Sequence, residues 1–341
     1  MAFSDTILSW YAAYGRDLPW RRTHDPYAVW LSEIILQQTR IAQGTAYWKR
    51  FMARFPSVDA LAAASEDEVL RLWEGLGYYS RARNLHAAAK QIVAQGGFPS
   101  TLEGLRALKG VGEYTAAAIG SIAFGLPAAV VDGNVYRVLA RHFGIATPVG
   151  SDAAKKEFTA LAQSLLPEGR AGDFNQGMMD FGAIQCTPLS PACLTCPLQG
   201  SCRAFSAGTV DTLPVKQAAR PVQHRYFTYL LVRCGGFVAL RRRGAGDIWQ
   251  GLWEPCLYER PTPDAPAGLP AWAAGARLLR SDVRHQLTHR TLHADFLLLE
   301  TQERPPLPET FRWIPESELD AYAKPRLVNL LLDPLRTSSQ E

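Results

Sequence analysis

Apolar residues recur at helical intervals over the first part of the chain, up to about residue 185. Residues 26–42 (PYAVWLSEIILQQTRIA) and 78–94 (YYSRARNLHAAAKQIVA) illustrate the pattern. Two stretches carry the capping box, in which Ser is followed three positions later by Glu: Ser65 with Glu68, and Ser100 with Glu103. Glycines punctuate the ends of these segments. The pattern predicts an all-helical domain.

From residue 224 the pattern changes to short runs typical of β-strands, such as RYFTYLLVR, GFVALRRR and LHADFLLLE. Two adjacent glycines, 235 and 236, suit a hairpin turn. Residues 261–276 are rich in Pro and Ala and predict a loop, whereas short helices are expected near 316–321 and 326–332. The second part of the chain therefore predicts a mixed α and β domain.

These patterns divide the 341 residues into two domains. Residues 1–205 form the helical domain and residues 224–335 the mixed one. Residues 206–223 lack a sustained period and predict a linker, and 336–341 predict a disordered tail. The chain has no apolar run of 18 residues and no signal-peptide pattern, which predicts a soluble cytoplasmic protein, associated with the nucleoid if bacterial.

Charge and cysteine usage narrow the possible partners. The net charge of +4 is compatible with a polyanion but does not demand one. Four of the six cysteines fall within 17 residues, in the spacing C-x6-C-x2-C-x5-C. Clustered thiols in an intracellular chain favour metal over disulfides, and four thiolates suit a tetrahedral zinc ion or a four-iron cluster. The residues concerned are Cys186, Cys193, Cys196 and Cys202.

The stretch LKGVG at residues 108–112 places two glycines between two helical patterns. Such a turn allows close approach of another backbone, and its amides lie at the start of the next helix, where phosphate binds well. A helix–glycine–helix joint without any ligand is an equally open interpretation. About twenty residues later an apolar run ends in Asp132, followed by the helical pattern NVYRVLARHFG. Alone, Asp132 would be interpreted as a helix N-cap.

Taken together, the hairpin and the Asp resemble the helix-hairpin-helix DNA glycosylase superfamily. The resemblance implies that the hairpin (about 101–124) grips the DNA backbone, here through Lys109, Gly110, Val111 and Gly112, and that Asp132 carries the chemistry. The cysteine spacing is the same as that of the iron–sulfur loop in endonuclease III and adenine DNA glycosylases. It implies one structural [4Fe-4S] cluster in the loop 186–202, against the alternative of four unrelated structural cysteines.

Further motifs resemble the adenine DNA glycosylase (MutY) family over nearly the whole chain. They are LPWR, WLSEIILQQTR, GLGYYSRARNLH, GVGEYTAAAI, VVDGNVYRVLAR and FNQGMMDFGAIQC. The resemblance implies a two-domain fold, with an all-α helix-hairpin-helix glycosylase domain bearing the iron–sulfur loop and an α+β MutT/Nudix-like C-terminal domain. The runs VALRRR and IWQGLWEPC belong to the latter.

Removal of adenine needs one acid and one anion, because a proton must reach the leaving base while positive charge builds on the sugar. Glu33 lies in an apolar helical segment, where burial would raise its pKa and keep it protonated near neutrality. A glutamate on the wet face of a helix is the competing interpretation. Asp132 is expected to stay ionised, because the amides that it caps favour the charged form. The resemblance implies that Glu33 is the general acid and that Asp132 stabilises the oxocarbenium ion or captures it covalently.

The resemblance also assigns the surroundings of these two groups. Asn134 orients the Asp132 carboxylate, and Tyr114 hydrogen-bonds near the same centre. To reach the bond, adenine must leave the helical stack, and Gln38 and Tyr78 stand where the family inserts side chains into the duplex. A core aromatic remains the alternative for Tyr78. The positions that line the adenine pocket are Trp20, Arg21, Leu36 and Gln176.

Tyr114 separates two branches of the superfamily. Endonuclease III-like enzymes carry a lysine at this position, which forms a Schiff base and permits strand cleavage. Tyrosine cannot form an imine, so base removal alone is expected. A bifunctional glycosylase-lyase and a non-catalytic DNA-binding protein remain as alternatives.

Adenine is a normal base, so specificity must come from its partner in the pair. In the family this partner is 8-oxoguanine, and guanine is expected as a second partner for this chain. The segment RHQLTHRTLH resembles the recognition loop, with Leu287, Thr288 and His289 where Phe-Ser-His is commoner. A nucleotide hydrolase is disfavoured because residues 224–341 lack the Glu-rich magnesium motif. The expected partner is duplex DNA with A·8-oxoguanine or A·G mispairs, bound by a monomer.

Overall fold

The computed structural model describes residues 2–217 and 221–337. The chain divides into two compact units, one formed from residues 1–63 and 84–218 and the other from residues 64–83 and 219–341. Residues 218–220 of the predicted linker and residues 338–341 of the predicted tail lie outside the described residues. No helix in the described ranges is long and apolar enough to cross a membrane.

The first unit is helical, as the apolar spacing predicts. One of its buried clusters packs Phe158, Phe174 and Phe181 against the apolar face of α9 (Gly133–Phe143). Helix α8 is apolar on nearly every side and is almost wholly buried, as expected for a central helix. The helices are α1 (Phe3–Tyr14), α2 (Pro26–Leu36), α3 (Ile41–Arg54), α4 (Val58–Ala63), α6 (Ser80–Ala94), α7 (Leu102–Ala107), α8 (Glu113–Phe124), α9 (Gly133–Phe143), α10 (Asp152–Ser164), α11 (Ala171–Asp180) and α12 (Arg203–Ser206).

Residues 26–42 keep one helical period of apolar positions, yet the backbone forms two helices separated by a turn within this range. Helix α2 ends at Leu36 and α3 begins at Ile41. Between them Gln38 has a φ of 55°, in the left-handed region that non-glycine residues rarely adopt. The amide of Thr39 donates to the carbonyl of Leu36 (3.1 Å) and closes the turn. Position 38 is therefore held at the tip of a tight turn.

The predicted hairpin joins α7 to α8. Thr101, and not Ser100, caps α7, because its hydroxyl accepts from the amide of Gly104 at 3.1 Å. Gly110 has a φ of 77°, and a Cβ there would lie 2.6 Å from the Cβ of Asn84. Gly112 has extended backbone (φ −90°) as the N-cap of α8. Only the first glycine of the pair therefore requires the left-handed conformation.

The predicted linker is ordered along the first unit over much of its length. The guanidinium of Arg141 donates to the carbonyls of Val210 (2.9 Å) and Leu213 (3.0 Å). The amide of Val149 donates to the carbonyl of Val215 (2.9 Å). These bonds give residues 210–215 a fixed course.

The second unit is built on a mixed sheet with strand order β3-β2-β1-β6-β5, in which β4 also pairs with β1 and β7 with β2. Strands β1 and β6 are parallel, and the other pairs are antiparallel. Gly235 and Gly236 both have positive φ and form the predicted hairpin turn between β1 and β2. The strands are β1 (Gln223–Cys234), β2 (Phe237–Arg242), β3 (Trp253–Glu254), β4 (Cys256–Arg260), β5 (Arg277–Gln286), β6 (Arg290–Thr301) and β7 (Phe311–Pro315).

Helices complete the second unit. Helix α5 (Glu66–Leu72) begins at Ser65, whose hydroxyl accepts from the amide of Glu68, as the capping box predicts. A 3-10 helix at Glu316–Ala321 and α13 (Arg326–Thr337) occupy the two predicted helical segments, and α13 continues five residues beyond the predicted end. Leu327, Val328 and Leu331 of α13 are buried in the core of the sheet.

Candidate active site

A cavity of about 220 Å³ opens among helices α2, α8, α9 and α11 of the first unit, and we call it the catalytic cavity. It brings together most of the residues to which the sequence assigned chemistry or base recognition. The predicted residues in its lining are Trp20, Arg21, Glu33, Leu36, Tyr114, Asp132, Asn134 and Gln176. They come from distant parts of the chain and share this one space.

Glu33 lies on α2, where its neighbours in sequence face the core. Burial raises the pKa of its carboxyl to about 7, against hydrogen bonding by Tyr114 and the charge of Arg21, while the nearby Asp132 raises it further. This is the direction that the sequence predicts. At neutral pH a large fraction of Glu33 carries a proton that it can donate.

Asp132 is the N-cap of α9, as the sequence predicts. One carboxylate oxygen accepts from the amides of Asn134 and Val135, both at 2.8 Å. The other accepts from the Asn134 side-chain amide at 2.8 Å. Burial raises the pKa of Asp132 despite these hydrogen bonds. The capping amides favour the charged form, as expected, but desolvation of the carboxylate is the larger effect on its pKa.

Arg137, which sequence reasoning missed, holds Asn134 from behind. Its guanidinium donates to the Asn134 side-chain oxygen (2.8 Å), to the carbonyl of Gly182 (2.6 Å) and to the carbonyl of Cys186 (2.7 Å). Gly182 is required by close packing, because a Cβ there would lie 2.5 Å from the Cβ of Asn134. A basic residue at the third position after Asn134 on the same helix face was the available signal.

Tyr114 and Met179 close one side of the catalytic cavity. The Tyr114 hydroxyl lies 3.5 Å from the Met179 sulfur and also hydrogen-bonds to Glu33. Burial raises the pKa of Tyr114 well above its usual value, so the hydroxyl stays protonated and can donate. Trp20 and Gln176 are both buried, and Trp20 packs edge-on against Trp48.

Asp180 and Arg16 are two further charged residues that sequence reasoning missed, and both belong to the ion-pair cluster of Arg21. Asp180, at the end of α11, is completely buried and receives hydrogen bonds from the guanidinium groups of Arg21 and Arg16. Asp180 follows Met178 and Met179, and an acid after such an apolar pair was the only hint in the sequence. Its partners lie more than 150 residues earlier in the chain.

The four clustered cysteines lie in a loop that follows α11 through a π-helix (Phe181–Gln185). All four are free of disulfides, and the pKa of Cys196 is raised to about 11 by burial and by the nearby Cys186, Cys202 and Cys193. Arg141 donates to the Cys186 sulfur, and the Cys202 thiol donates to the Arg141 carbonyl, both at 3.5 Å. In the described part of the chain, no three His, Cys, Asp or Glu side chains converge as one metal ion requires.

Four cysteine thiols in one loop are a donor set that a [4Fe-4S] cluster uses and that a structural zinc site uses as well. The cationic guanidinium of Arg141 lies beside the Cys186 sulfur and would balance part of the negative charge of a thiolate-bound group. The residues present therefore fit the cluster as a candidate ligand.

The residues predicted to contact DNA lie outside the catalytic cavity. Lys109, Gly110 and Gly112 of the hairpin are exposed, whereas Val111 is buried. The amide of Lys109 donates to the Gln91 side chain (2.7 Å), which ties the hairpin to α6. The side chain of Gln38 is exposed at its tight turn. The hairpin thus presents a cation and glycine backbone at the surface.

Tyr78 and the predicted recognition loop belong to the second unit. Tyr78 has a φ of 46°, like Gln38 in the left-handed region, and its side chain is 45% exposed. It is therefore not a core aromatic. Its hydroxyl hydrogen-bonds to that of Thr288. Thr288 and His289 are exposed in the turn between β5 and β6, whereas Leu287 packs on the core of the sheet.

A second cavity of about 330 Å³ lies in the second unit, and we call it the strand cavity. It is lined by charged side chains from β4, β5 and β6. His293 hydrogen-bonds to Asp282 (2.7 Å) and to His224 (3.0 Å). The hydrogen bonds that Asp282 accepts from His293 and Arg284 lower the pKa of its carboxyl. No pattern in the sequence indicated this cluster.

Comparison with known proteins gives matches in both units. A family model described as "HhH-GPD superfamily base excision DNA repair protein" matches residues 31–167, and one described as "NUDIX domain" matches residues 228–333. A human adenine DNA glycosylase is 47% identical over 214 residues, which cover 60% of this chain and 39% of the relative. An adenine DNA glycosylase of Buchnera aphidicola (from Acyrthosiphon pisum) is 35% identical over 254 residues, which cover 74% of this chain and 73% of the relative.

Solved structures resemble a part of the chain. A thermostable thymine-DNA glycosylase has a TM-score of 0.55 and 32% identity, covering 60% of this chain and 95% of its own. An endonuclease III trapped on DNA has a TM-score of 0.52 and 24% identity, covering 60% and 94%, a likeness of fold alone. The chain spans 39% of the human relative's length and 44% of the mouse relative's.

Proposed function

Since the chain belongs to the family of adenine DNA glycosylases, we propose that it hydrolyses the N-glycosidic bond of adenine in duplex DNA. It releases free adenine and leaves an abasic site for base excision repair. The observation that carries the proposal is the pairing of Glu33 and Asp132 in one cavity. One is an acid that holds its proton near neutral pH, and the other is a carboxylate fixed by hydrogen bonds.

Glu33 acts as the general acid. Adenine is a poor leaving group as an anion, so protonation of its ring, at N7 in the family mechanism, lowers the barrier to departure. A pKa of about 7 suits this task, because the acid is protonated at neutral pH and still gives up its proton readily. The hydroxyl of Tyr114 donates to Glu33 and orients it.

Asp132 stabilises the positive charge that develops on the sugar, or captures the sugar covalently. Its two oxygens are held by Asn134 and Val135, so the carboxylate needs no reorganisation when charge develops. Arg137 fixes Asn134 in turn. Trp20, Arg21, Leu36 and Gln176 then enclose the extruded base, with Arg21 and Gln176 able to hydrogen-bond to its edge.

The enzyme is monofunctional, because Tyr114 stands in the catalytic cavity where a lyase carries lysine. A tyrosine side chain carries no amine and cannot form the Schiff base that strand cleavage needs. The lining of the cavity contains no lysine among its described residues. Free adenine and an intact abasic strand are the products.

The partner is duplex DNA in which adenine is paired with 8-oxoguanine or guanine. The hairpin, with Lys109 exposed beside glycine amides, holds the phosphate backbone. Gln38 and Tyr78 enter the duplex, which their unusual backbone conformations support, since strained residues cluster at functional sites. Leu287, Thr288 and His289 sense the opposite base, with the Thr288 hydroxyl as the hydrogen-bonding group.

Cys186, Cys193, Cys196 and Cys202 hold one [4Fe-4S] cluster, which fixes the loop that follows α11. The prediction is a yellow-brown protein with about four irons per chain. Iron and zinc are measured by elemental analysis together with the absorption spectrum. One zinc and no iron would contradict the assignment.

A duplex assay tests the activity. A duplex with one A·8-oxoguanine pair, and matched duplexes with A·G and A·T pairs, are incubated with iron-loaded protein, and free adenine is measured by chromatography. Strand breaks are scored with and without alkali. We expect adenine release and breaks only after alkali. Breaks without alkali would indicate a glycosylase-lyase, and binding without release would indicate a DNA-binding protein.

A further inference from the structure

Asp180 joins two arginines that reach it from the N-terminal part of the chain. Its carboxylate accepts from the amide of Arg16 (2.8 Å) and from the Arg16 guanidinium (Nε, 2.9 Å). It also accepts from both terminal nitrogens of Arg21, at 2.6 and 2.8 Å. Asp180 has no exposed surface, and the Arg21 side chain is 10% exposed. Bidentate pairing of this kind fixes both the position and the plane of a guanidinium.

Arg21 is the member of this group whose charge acts on Glu33. Arg16 and Arg21 both line the catalytic cavity together with Glu33. Without an anion, a guanidinium that is nine-tenths buried would be costly, and its unbalanced charge would favour loss of the proton from Glu33. The charge of Arg21 would then oppose the acid that the reaction needs.

We propose that Asp180 is a positioning residue for the glycosidic reaction, which holds Arg21 against the wall of the catalytic cavity and balances its charge so that Glu33 keeps its proton. This inference rests on the proposed function. Asp180 does not itself contact the substrate and acts through Arg21. The carboxylate thereby joins the end of α11 to the acid on α2.

The charged and titratable groups around Glu33 and Asp180 determine how the removal of Asp180 changes the pH at which Glu33 loses its proton. Those that face Glu33 are Arg21 from the segment before α2, Tyr114 from α8 and Asp132 before α9. Asp180 is faced by Arg16 and Arg21, with Tyr11 of α1 also interacting with it. In Asp180→Asn the two arginines keep their charges and the anion is lost. The local potential becomes more positive, so the Glu33 proton is lost at lower pH.

Arg16→Gln provides the matched opposite change. It removes one cation from the same cluster and leaves Asp180 paired with Arg21. The local potential becomes more negative, so the Glu33 proton is retained to higher pH. If the ion pair were purely structural, both variants would lose stability and neither would show a displaced pH profile of adenine release.

The experiment measures single-turnover adenine release from the A·8-oxoguanine duplex between about pH 5 and about pH 9, a range that spans the Glu33 transition. Wild type, Asp180→Asn, Asp180→Glu and Arg16→Gln are compared, each with its thermal melting curve. For Asp180→Asn we expect adenine release to be about 10- to 100-fold slower, because Arg21 is displaced. The fall of its rate at alkaline pH, which we call the alkaline limb, should begin at a lower pH. Asp180→Glu should restore the position of the alkaline limb more fully than it restores the rate.

The outcomes separate this inference from the proposed function. If wild type releases no adenine, the proposed function fails. If wild type releases adenine and its alkaline limb stays in place in both Asp180→Asn and Arg16→Gln, only the role of Asp180 is overturned. Should Asp180→Asn not fold, the direction of the limb in Arg16→Gln decides the question alone, since a shift to higher pH supports charge balance and an unchanged limb contradicts it.

Discussion

Glu33 in the first unit and Asp282 in the second are both carboxylic acids with an arginine nearby, yet their pKa values move in opposite directions. The pKa of Glu33 rises because the side chain is desolvated in the catalytic cavity. The pKa of Asp282 falls because the exposed carboxylate accepts hydrogen bonds from His293 and Arg284 in the strand cavity. Desolvation, rather than the types of residue present, distinguishes the cavity suited to acid catalysis.

The largest effect is expected from removing the anion of the catalytic cavity. Asp132→Asn keeps the shape of the side chain but cannot stabilise a cationic sugar, so adenine release should fall by at least about a thousandfold. Duplex binding should stay within a few-fold. The same change in the strand cavity, Asp282→Asn, is the control and should leave the rate unchanged. Equal loss in both variants would remove the distinction between the two cavities.

The pH dependence of the reaction is the second test. The protonated form of Glu33 is the active one, so the rate of the chemical step should be constant just below the pKa of about 7 and fall about tenfold per pH unit above it. In acid the rate should fall again as Asp132 takes up a proton. Glu33→Gln should remove this dependence together with most of the rate. A rate that rises with pH through 7 in wild type would exclude Glu33 as the proton donor.

Stability should change with the same titration. The pKa of Glu33 is 4.5 in the unfolded chain and about 7 in the folded one, so its contribution is fully present below pH 4.5 and lost as pH rises through 7. The difference corresponds to about 3 kcal/mol. Glu33→Gln should therefore raise the free energy of unfolding by up to about this amount at alkaline pH and leave it nearly unchanged in acid.

Urea unfolding of wild type and Glu33→Gln at two pH values measures this effect. Asp282→Asn should behave in the opposite way, because its pKa is lowered by folding. Its stability loss should be largest near neutral pH and vanish in acid. Parallel pH profiles for the two variants would show that the carboxyls do not differ as the structure implies.

Crowding behind the catalytic cavity gives a smaller effect. The Cβ of Gly182→Ala would lie 2.5 Å from the Cβ of Asn134, so the segment must shift, at a cost of about 1–3 kcal/mol. Displacement of Asn134 loosens Asp132, and we expect about a tenfold lower rate of adenine release. Gly244→Ala in the second unit, where no atom lies within 4 Å, should change neither rate nor stability appreciably.

The smallest effect concerns the opposite base. Thr288→Val removes a hydroxyl and keeps the shape, so the preference for 8-oxoguanine over guanine opposite adenine should fall a few-fold, as expected for one hydrogen bond. The rate on the A·G duplex serves as the internal control. An unchanged ratio of the two rates would mean that Thr288 takes no part in lesion recognition.

Local patterns in the sequence predicted the helical first part, the β-type second part and the hairpin at Gly235. These patterns failed where two neighbouring residues or two backbone conformations fit the local sequence about equally well. Ser100 and Thr101 are adjacent candidate caps, and only the backbone geometry selects Thr101. The helical period continues through Gln38, where neither Pro nor Gly marks the turn, because the period reports which face is buried and not whether the backbone is continuous.

The sequence predicted individual residues of the candidate site but not the long-range contacts between them. Glu33 and Asp132 were identified through apolar surroundings and a resemblance to a family. Asp180 could not be assigned because its partners, Arg16 and Arg21, lie more than 150 residues away. Pairing over such a distance follows from packing of whole helices, and no period within one segment records it.

The π-helix between Asp180 and Cys186 has a consequence for how the gene can vary. The amide of Cys186 donates to the carbonyl of Phe181 (2.8 Å), five residues back, so this turn holds one residue more than an α-turn. An in-frame deletion of one codon here would convert the turn to α-helix and rotate everything after it by about 100°. The Cys186 carbonyl would then leave Arg137. At this place the number of codons constrains the protein as strongly as their identity.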